Sequence, residues 1–547
     1  MDKKTIHLLM LSAIGLVLFY QRKNMSKRTN KVVFKPYAPA QIQLLPPSLD
    51  ELISPTHLVR VVNEVVDQMD LRQLIADNYE GGGTSSYHPS MMVKVILYSY
   101  AMKIYTGRKI AKALRQDVTF MWIAASNRPD FRTINGFRTG ILKDTIESLF
   151  SKLVQFLIEQ GYVTMENYFC DGTTIAADGN KNKIVWNKST HRYKQLAEEK
   201  CKELFNQIDQ LNTEEQKAYG DKDLEELGDK GIDKKSIRDQ VNKLNETIEQ
   251  TEDKRKLRKA NSLKKKLEEQ EIKINKYQRR IETADGRSGY NRTDTDASAM
   301  YMKNEEILPA YNILAGSENQ FITGFSIHQN PNDGTCFKQH IEELGKTAPF
   351  LPESITADSI FGTEENYELL ENKKIGNYLK FKSFHSEQKR GNVKDKFHKD
   401  RFIYDEESDT YTCPNEQKLT YQSSRIITYK KTKYISELKT YKCANCAGCP
   451  FAAQCIKSNE IYRIIETNEK LEKYKNQARS NLNSEEGINR RKRRGCEIES
   501  CWGDIKQNMN FRRFHVRGKQ KVKTEFGIIA LAHNLRKIHL ERTKNVA

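Results

Sequence analysis

From Leu58 to Ile75 apolar residues return at helical spacing, and Val59, Val61, Val62, Val65, Val66 and Met69 fall on one side. GGGTSSYHPS predicts a loop at 81–90, and Pro89 opens a second helix with Met91, Met92, Val95, Ile96, Tyr98 and Met102 behind it. Thr106 or Gly107 starts a third. It carries Ile110, Ala113 and Leu114 on one face and Arg108, Lys109, Lys112 and Arg115 elsewhere. Another begins after Pro129 and turns Phe131, Ile134 and Phe137 inward. Short helices with basic outer faces suit a helix-turn-helix DNA binder, and equally an ordinary helical domain.

The period changes at Tyr168, where YFCDGTTIAADG reads as a strand interrupted by Asp171. Residues 191–280 hold 23 Lys/Arg, 20 Asp/Glu and no Pro. A thin seam of Leu204, Ile208, Leu211, Val241, Leu244, Ile248, Leu257, Leu263, Leu267, Ile272 and Ile274 predicts a projecting helical hairpin or short coiled coil. Strands then return. PAYNILAGSE and QFITGFSIHQ form a hairpin, and GTCFKQHIEELGK is helical. ESITADSIFG is a short buried strand ending in Asp358, TEENYELLENKK a helix capped by Thr363, and NYLKFKSF a strand. A Tyr-rich segment with clustered Cys interrupts over 386–480. Helix resumes near Cys496, with Glu499 opening EIESCWGDIKQNM, and VKTEFGIIALAHNLRKIHL covers the sheet.

Charge sharpens the picture. The 547 residues carry a net +19, and the 67 residues from Asn481 hold 16 Lys/Arg against 7 Asp/Glu. A field concentrated in this way indicates a polyanionic partner, most simply nucleic acid. At 37% hydrophobic, with 47 Tyr and Phe, the chain can form a core. The apolar run Leu8–Tyr20 has 13 residues, too few to span a bilayer, and no small-x-small cleavage site follows it. Residues 1–24 are therefore expected to be an upstream extension ahead of Met25, and no stable membrane association is expected.

Three carboxylates stand out. Asp171 interrupts one apolar strand, Asp358 ends another, and Glu499 lies on a helix inside the most basic stretch. A carboxylate at a buried strand needs a partner. Two such strands side by side and a packed helix bring three together, and a hard divalent cation, Mg²⁺ or Mn²⁺, resolves their repulsion. Two such ions would serve phosphodiester chemistry. Asp178 rivals Asp171, and Glu497 rivals Glu499. On a regular helix Trp502 and Lys506 share the face of Glu499, so Lys506 can meet a phosphate, as can Arg512 and Arg513 beyond it. Cys413, Cys443, Cys446, Cys449 and Cys455 offer five thiolates for the four places of a structural zinc, an iron–sulfur cluster being the weaker alternative.

Five blocks together resemble the DDE transposases of bacterial insertion sequences with an InsH-like N-terminal helical domain. They are 88–138, DGTTIAADGNKNKIVWNKS at 171–189, TADSIFGTEENYELLE at 356–371, YLKFKSFHSEQ at 378–388 and EIESCWGDIKQNMNFRRF onward at 497–538. The last, E-x6-K followed by FRRF, is the most specific. The resemblance implies an α/β fold. Its elements are a ribonuclease-H-like mixed five-stranded sheet with flanking helices, an N-terminal all-α domain, a helical-hairpin insertion and a Cys-containing insertion. The boundaries are an extended arm at 25–57, a helical DNA-binding domain at 58–150, a catalytic core at 160–385 and 490–542, and insertions at 191–280 and 386–480. Asp171, Asp358 and Glu499 become the catalytic metal ligands and Lys506 the associated DNA-contacting lysine. Arg108, Lys109, Lys112, Arg115, Arg493, Arg494, Arg512, Arg513 and Arg517 become DNA contacts, and Cys413, Cys446, Cys449 and Cys455 the preferred zinc set, with Cys443 the alternative. Related enzymes often place Arg four residues before the glutamate; here Gly495 stands there, with Arg493 and Arg494 just upstream.

The implied activity is metal-dependent cutting at the element's terminal inverted repeats, then 3′-hydroxyl transfer into target DNA. The partners are double-stranded DNA and a second copy of the chain on it, with no small-molecule substrate, in the bacterial cytoplasm at the nucleoid. A nuclease of the same fold and an inactive DNA-binding relic are the alternatives.

Overall fold

The computed structural model describes residues 48–69, 71, 87–219, 234–250, 253–303, 305–389, 396–456 and 460–544. The expectations for 1–24, for nearly all of the arm and for the 81–86 loop lie outside these residues. Residues 48–52 form a turn in which Ser48 Oγ donates to Glu51. Ile53–Ala547 cluster as one compact unit.

Among the described residues six helices come first: α1 (Leu58–Gln68), α2 (Pro89–Ala101), α3 (Gly107–Gln116), α4 (Val118–Ile123), α5 (Phe131–Thr139) and α6 (Ile141–Glu159). Their starts follow the local chemistry. Pro89 takes the first turn of α2, and the Thr106, Asp117 and Asp130 side chains each accept a bond from a first-turn N–H of the helix they cap. Val59, Val61, Val62, Val65 and Val66 are all buried on α1, and Met69 just beyond it.

The main sheet contains β1 (Asn167–Ala176), β2 (Ile184–Trp186), β3 (Gly289–Asn291), β4 (Ser298–Tyr301), β5 (Ile307–Glu318), β6 (Phe321–His328), β7 (Ser354–Ala357) and β8 (Gly376–Leu379). Its centre runs β6-β5-β1-β7-β8, with β1, β7 and β8 parallel and β5 antiparallel to both neighbours. This is a mixed, partly parallel sheet of eight strands rather than five. The short β2, β3 and β4 lengthen it beside β5, and at three or four residues each they leave no readable period in the sequence. β5 and β6 turn through Asn319 and Gln320, both at positive φ (52° and 66°), the conformation a two-residue hairpin requires.

One sheet face packs on α13 (Glu485–Gly503) and α14 (Lys519–Lys544), and their core runs on without a break into α1–α6. The other face packs on α10 (Asp333–Thr347), α11 (Glu364–Asn372) and α12 (Glu469–Asn483). Helix α13 starts eleven residues before Cys496, because Ser484 caps it and the NRRKRR run is a good helix former. Three helices, α7 (Asn187–Tyr219), α8 (Lys234–Gln250) and α9 (Lys254–Ala284), stand where a two-helix hairpin is expected. Their seam buries Leu204, Ile208, Leu244, Leu263 and Leu267 but leaves Ile272 exposed. A second, antiparallel sheet, β13-β12-β11-β10-β9, comprises β9 (Ile403–Asp405), β10 (Thr410–Thr412), β11 (Lys418–Thr428), β12 (Ile435–Cys443) and β13 (Ile464–Thr467). Among the described residues no helix is long and apolar enough to cross a membrane.

Candidate active site

Parallel pairing aligns Cys170 of β1 with Ala357 of β7, so Asp171 and Asp358 follow at adjacent places on neighbouring chains. Asp171 shares its sheet face with Phe169 and Ile175, the face that α13 crosses. The opposite face at the next residue is Gly172. A Cβ there would lie 2.3 Å from the Asp333 carboxyl carbon, so any other residue would have to push that carboxylate aside.

Helix α13 brings Arg494 into the middle. Its guanidinium lies 3.2 Å from Asp171, 3.7 Å from Asp358 and 3.1 Å from Glu499. The Arg494 side chain is 11% exposed, against 22%, 43% and 53% for the three carboxylates. Arg494, one residue earlier than the usual arginine position, thus reaches the whole triad, while Gly495 leaves room near Glu499. Lys380 stands 3.7 Å from Asp358. Burial raises the Asp171 pKa; Arg494 and the Gly172 N–H oppose this, and Asp333 and Glu499 add to it. Burial also disfavours the Asp358 charge, but Arg494, the Ser359 N–H and Lys380 outweigh it and hold its pKa below the usual value.

The two rivals have other partners. Glu497 is buried and accepts from the Gln320 N–H at 2.8 Å and from Arg493 at 2.7 Å, so it fastens the β5–β6 turn to α13. Asp178 pairs with Arg513 and Arg517, each at 2.9 Å.

After Gly503 the helix widens into one π-helical turn, Asp504–Asn508, which carries Lys506. Its ammonium donates to Thr173 Oγ1 and to the Thr174 carbonyl on the Asp171 strand. Burial lowers its pKa to about 8, with Lys303 adding and Asp171 opposing. Trp502, three residues beyond Glu499 on the same regular helix, is buried against Phe526 while Glu499 is exposed. Of the remaining basic candidates, Arg108, Lys109, Lys112 and Arg115 are exposed on α3. Arg512 bonds to the Lys506 carbonyl and Gln507, and Arg493 also lies over the Phe169 ring. Arg108 and Arg513 line one cleft of about 580 Å³ between α3 and the segment after the π turn.

Cys443 feels the charge of Cys446 and Cys413, and Cys455 that of Cys413, Cys446 and Cys449. The Asn415 N–H points at Cys413 Sγ (3.4 Å) and the Arg463 N–H at Cys446 Sγ (3.3 Å), while the Asn415 amide approaches Cys449 Sγ (3.6 Å). Cys443 instead donates to the Asn445 carbonyl, and burial and Cys446 push its pKa up. Among the described residues no three His, Cys, Asp or Glu side chains are grouped closely enough to hold a metal as they stand. At the carboxylates, the guanidinium fills the space between them.

Sequence reasoning passed over Asp333 and Lys380. Lys380 had a signal, being a lysine inside the apolar strand NYLKFKSF. Asp333 had none, because an Asp in NDGT at a helix start is ordinary chemistry.

The comparisons agree with this architecture. A family model described as Transposase DDE domain matches residues 412–539, which include Arg494, Glu499 and Lys506. A second, described as Transposase domain (DUF772), matches residues 47–140, the first helices. The C-terminal part of the chain is therefore matched by a transposase DDE domain and the N-terminal part by a transposase domain. No curated protein and no solved structure matches it.

Proposed function

We propose that the protein is an insertion-sequence transposase that binds its element's terminal inverted repeats, cuts them with divalent metal and transfers the 3′-hydroxyl into target DNA. The observation that carries this reading is the convergence of Asp171, Asp358 and Glu499 on a single cation, the Arg494 guanidinium. Oxygen donors that share one cation suit Mg²⁺ or Mn²⁺. One or two such ions, when bound, would activate the attacking oxygen and stabilise the leaving one.

The chain's own residues do the rest. Asp171 and Asp358 are fixed by strand register, within a core read as ribonuclease-H-like. Glu499, the most exposed, closes the set from the solvent side. Arg494, held among the three carboxylates, would offer a phosphate a fork suited to its oxygens. Lys506 is held at Thr173 to meet the same strand. Arg108, Lys109, Lys112 and Arg115, with Arg493, Arg512, Arg513 and Arg517, supply the basic surface for duplex DNA. Two ends must be joined, so a homodimer acts on DNA, in the bacterial cytoplasm at the nucleoid.

In the second sheet, N–H groups aimed at Cys413 and Cys446 suit thiolates. The protonated, donating Cys443 leaves Cys413, Cys446, Cys449 and Cys455 to hold a structural zinc. The zinc content of the purified protein tests this: one equivalent is expected, and none would exclude it.

The functional test incubates a labelled duplex bearing the element's end with protein and plasmid, in Mg²⁺ or EDTA, beside Asp171→Asn. Cutting at the end and joining to plasmid, both lost in EDTA and in the variant, are expected. Cutting without joining would mean a nuclease, and specific binding without cutting a DNA-binding relic.

A further inference from the structure

Strands β11 and β12 form a long hairpin whose outer half stands clear of the second sheet. Ile426 is 72% and Ile435 62% exposed, and Tyr429 is exposed at the turn. The turn reads Tyr429-Lys-Lys-Thr-Lys-Tyr434. It closes by bonds between Tyr429 and Tyr434 (2.9 Å) and from the Lys433 N–H to the Tyr429 carbonyl (2.8 Å). Lys430, Lys431 and Lys433 are all exposed, and none pairs with a carboxylate of a described residue. Three ammonium groups on six residues repel one another until an anion or solvent takes them up.

The arm is held in place. Ser436 donates to Glu364 at 2.5 Å, Asn468 bonds to both Glu364 and Ser436 at 2.7 Å, and all three residues are buried. Tyr434 and Lys470 donate to Glu368, each at 2.6 Å. Glu364 and Glu368 belong to α11, which follows Asp358 after one 3-10 turn, Ser359–Phe361. Asn366 ties α11 to the start of α10 through the Gly334 carbonyl (3.0 Å). The field of Lys431 is felt at Cys336 in the first turn of α10, three residues after Asp333. Through α11 the hairpin is thus fastened to the segment that follows Asp358. A turn that only kept the protein in solution would need no buried carboxylate to fasten it. Tyr429 and Tyr434, with ring centroids 6.5 Å apart, flank the lysines.

We infer that this hairpin is a DNA-holding arm, in which Lys430, Lys431 and Lys433 grip the phosphate backbone of a duplex. The inference rests on the DNA-processing reading above and adds to it a binding surface and its ligand. Binding would order nothing in the sheet, because the anchor is already made. The arm contributes affinity and strand placement, with no base readout.

The test uses the full chain and its Lys430→Ala/Lys431→Ala/Lys433→Ala form, with equal melting temperatures as the folding control. Dissociation constants for a duplex carrying the element end, and for an unrelated duplex of equal length, are measured from 50 to 200 mM NaCl. Each phosphate contact contributes about 0.9 to the slope of log K against log salt. The triple variant should lose about 2 to 3 from that slope on both duplexes and bind at least about 10-fold more weakly at 50 mM salt. An unchanged slope would overturn the arm, whatever happens to affinity, and would leave the transposase reading standing. Failure of the wild-type chain to bind either duplex would remove both.

Discussion

Arg494 illustrates what one side chain decides. It replaces the mutual repulsion of three carboxylates with three attractions, so its loss should loosen the metal-free protein. The carboxylates are partly solvated, which limits the expected loss to about 1–2 kcal/mol for Arg494→Gln. The same change should enlarge the rise in melting temperature on adding Mn²⁺, because the ion no longer competes with a guanidinium. An equal or smaller rise than in wild type would mean that Arg494 assists metal binding instead. Residues at this scale were unevenly legible. Asp171 and Asp358 stand out because a carboxylate in an apolar strand breaks a pattern. Glu499 was preferred over Glu497 only through the resemblance, and the reason Glu497 is otherwise engaged, its bond from the Gln320 N–H, depends on the β5–β6 turn. That turn lies 177 residues away in sequence, where no local pattern reports it.

Among the elements, the π turn at Asp504–Asn508 matters most. A straight helix would carry Lys506 with a different rotation, and the sequence reading assumed one. The turn is fastened by Asp504, which accepts from His533 of α14 at 2.9 Å, while the other ring nitrogen of His533 meets the Gln320 carbonyl at 3.0 Å. Burial opposes the imidazolium charge, but Cys501 and Asp504 outweigh it and raise the pKa to about 10. Asp504 is itself held below its usual value, with His533 and Arg536 overcoming its burial. A histidine whose folded pKa exceeds its unfolded value of about 6.5 stabilises fully below that pH. The contribution fades as pH rises toward 10, and the Asp504 share is lost in acid. Urea unfolding of wild type and His533→Gln should therefore differ more at pH 6 than at pH 9.5. A gap that is constant or grows with pH would show that the imidazolium is not what holds the turn. Most strands and helices around this site are legible because their periods are long. The short β2–β4 and the start of α13 are not, because three-residue strands have no period and NRRKRR hides a helix behind its charge.

For the molecule as a whole, one buried network binds the N-terminal helices to the C-terminal segment. Tyr100 donates to Glu525 at 2.9 Å, Arg138 reaches Tyr100 and the Tyr105 carbonyl, each at 2.8 Å, and Tyr105 donates to the Met509 carbonyl. Helices α1–α6 share one core with α14, so deleting them would uncover its apolar face, and charge substitutions on α3 are the cleaner probe of end binding. This joining of chain ends was invisible in the sequence, where Arg138 and Glu525 are 387 positions apart. The account depends on Glu499 acting at the carboxylate site and Glu497 acting in the scaffold. The most direct measurement is the rate of end cleavage in Mg²⁺ by Glu499→Gln and Glu497→Gln, with melting temperatures alongside. The account predicts a loss of about 100-fold or more for Glu499→Gln at unchanged or higher melting temperature. For Glu497→Gln it predicts retained cleavage and a lower melting temperature. Cleavage that survives in Glu499→Gln and vanishes in a stable Glu497→Gln would contradict it.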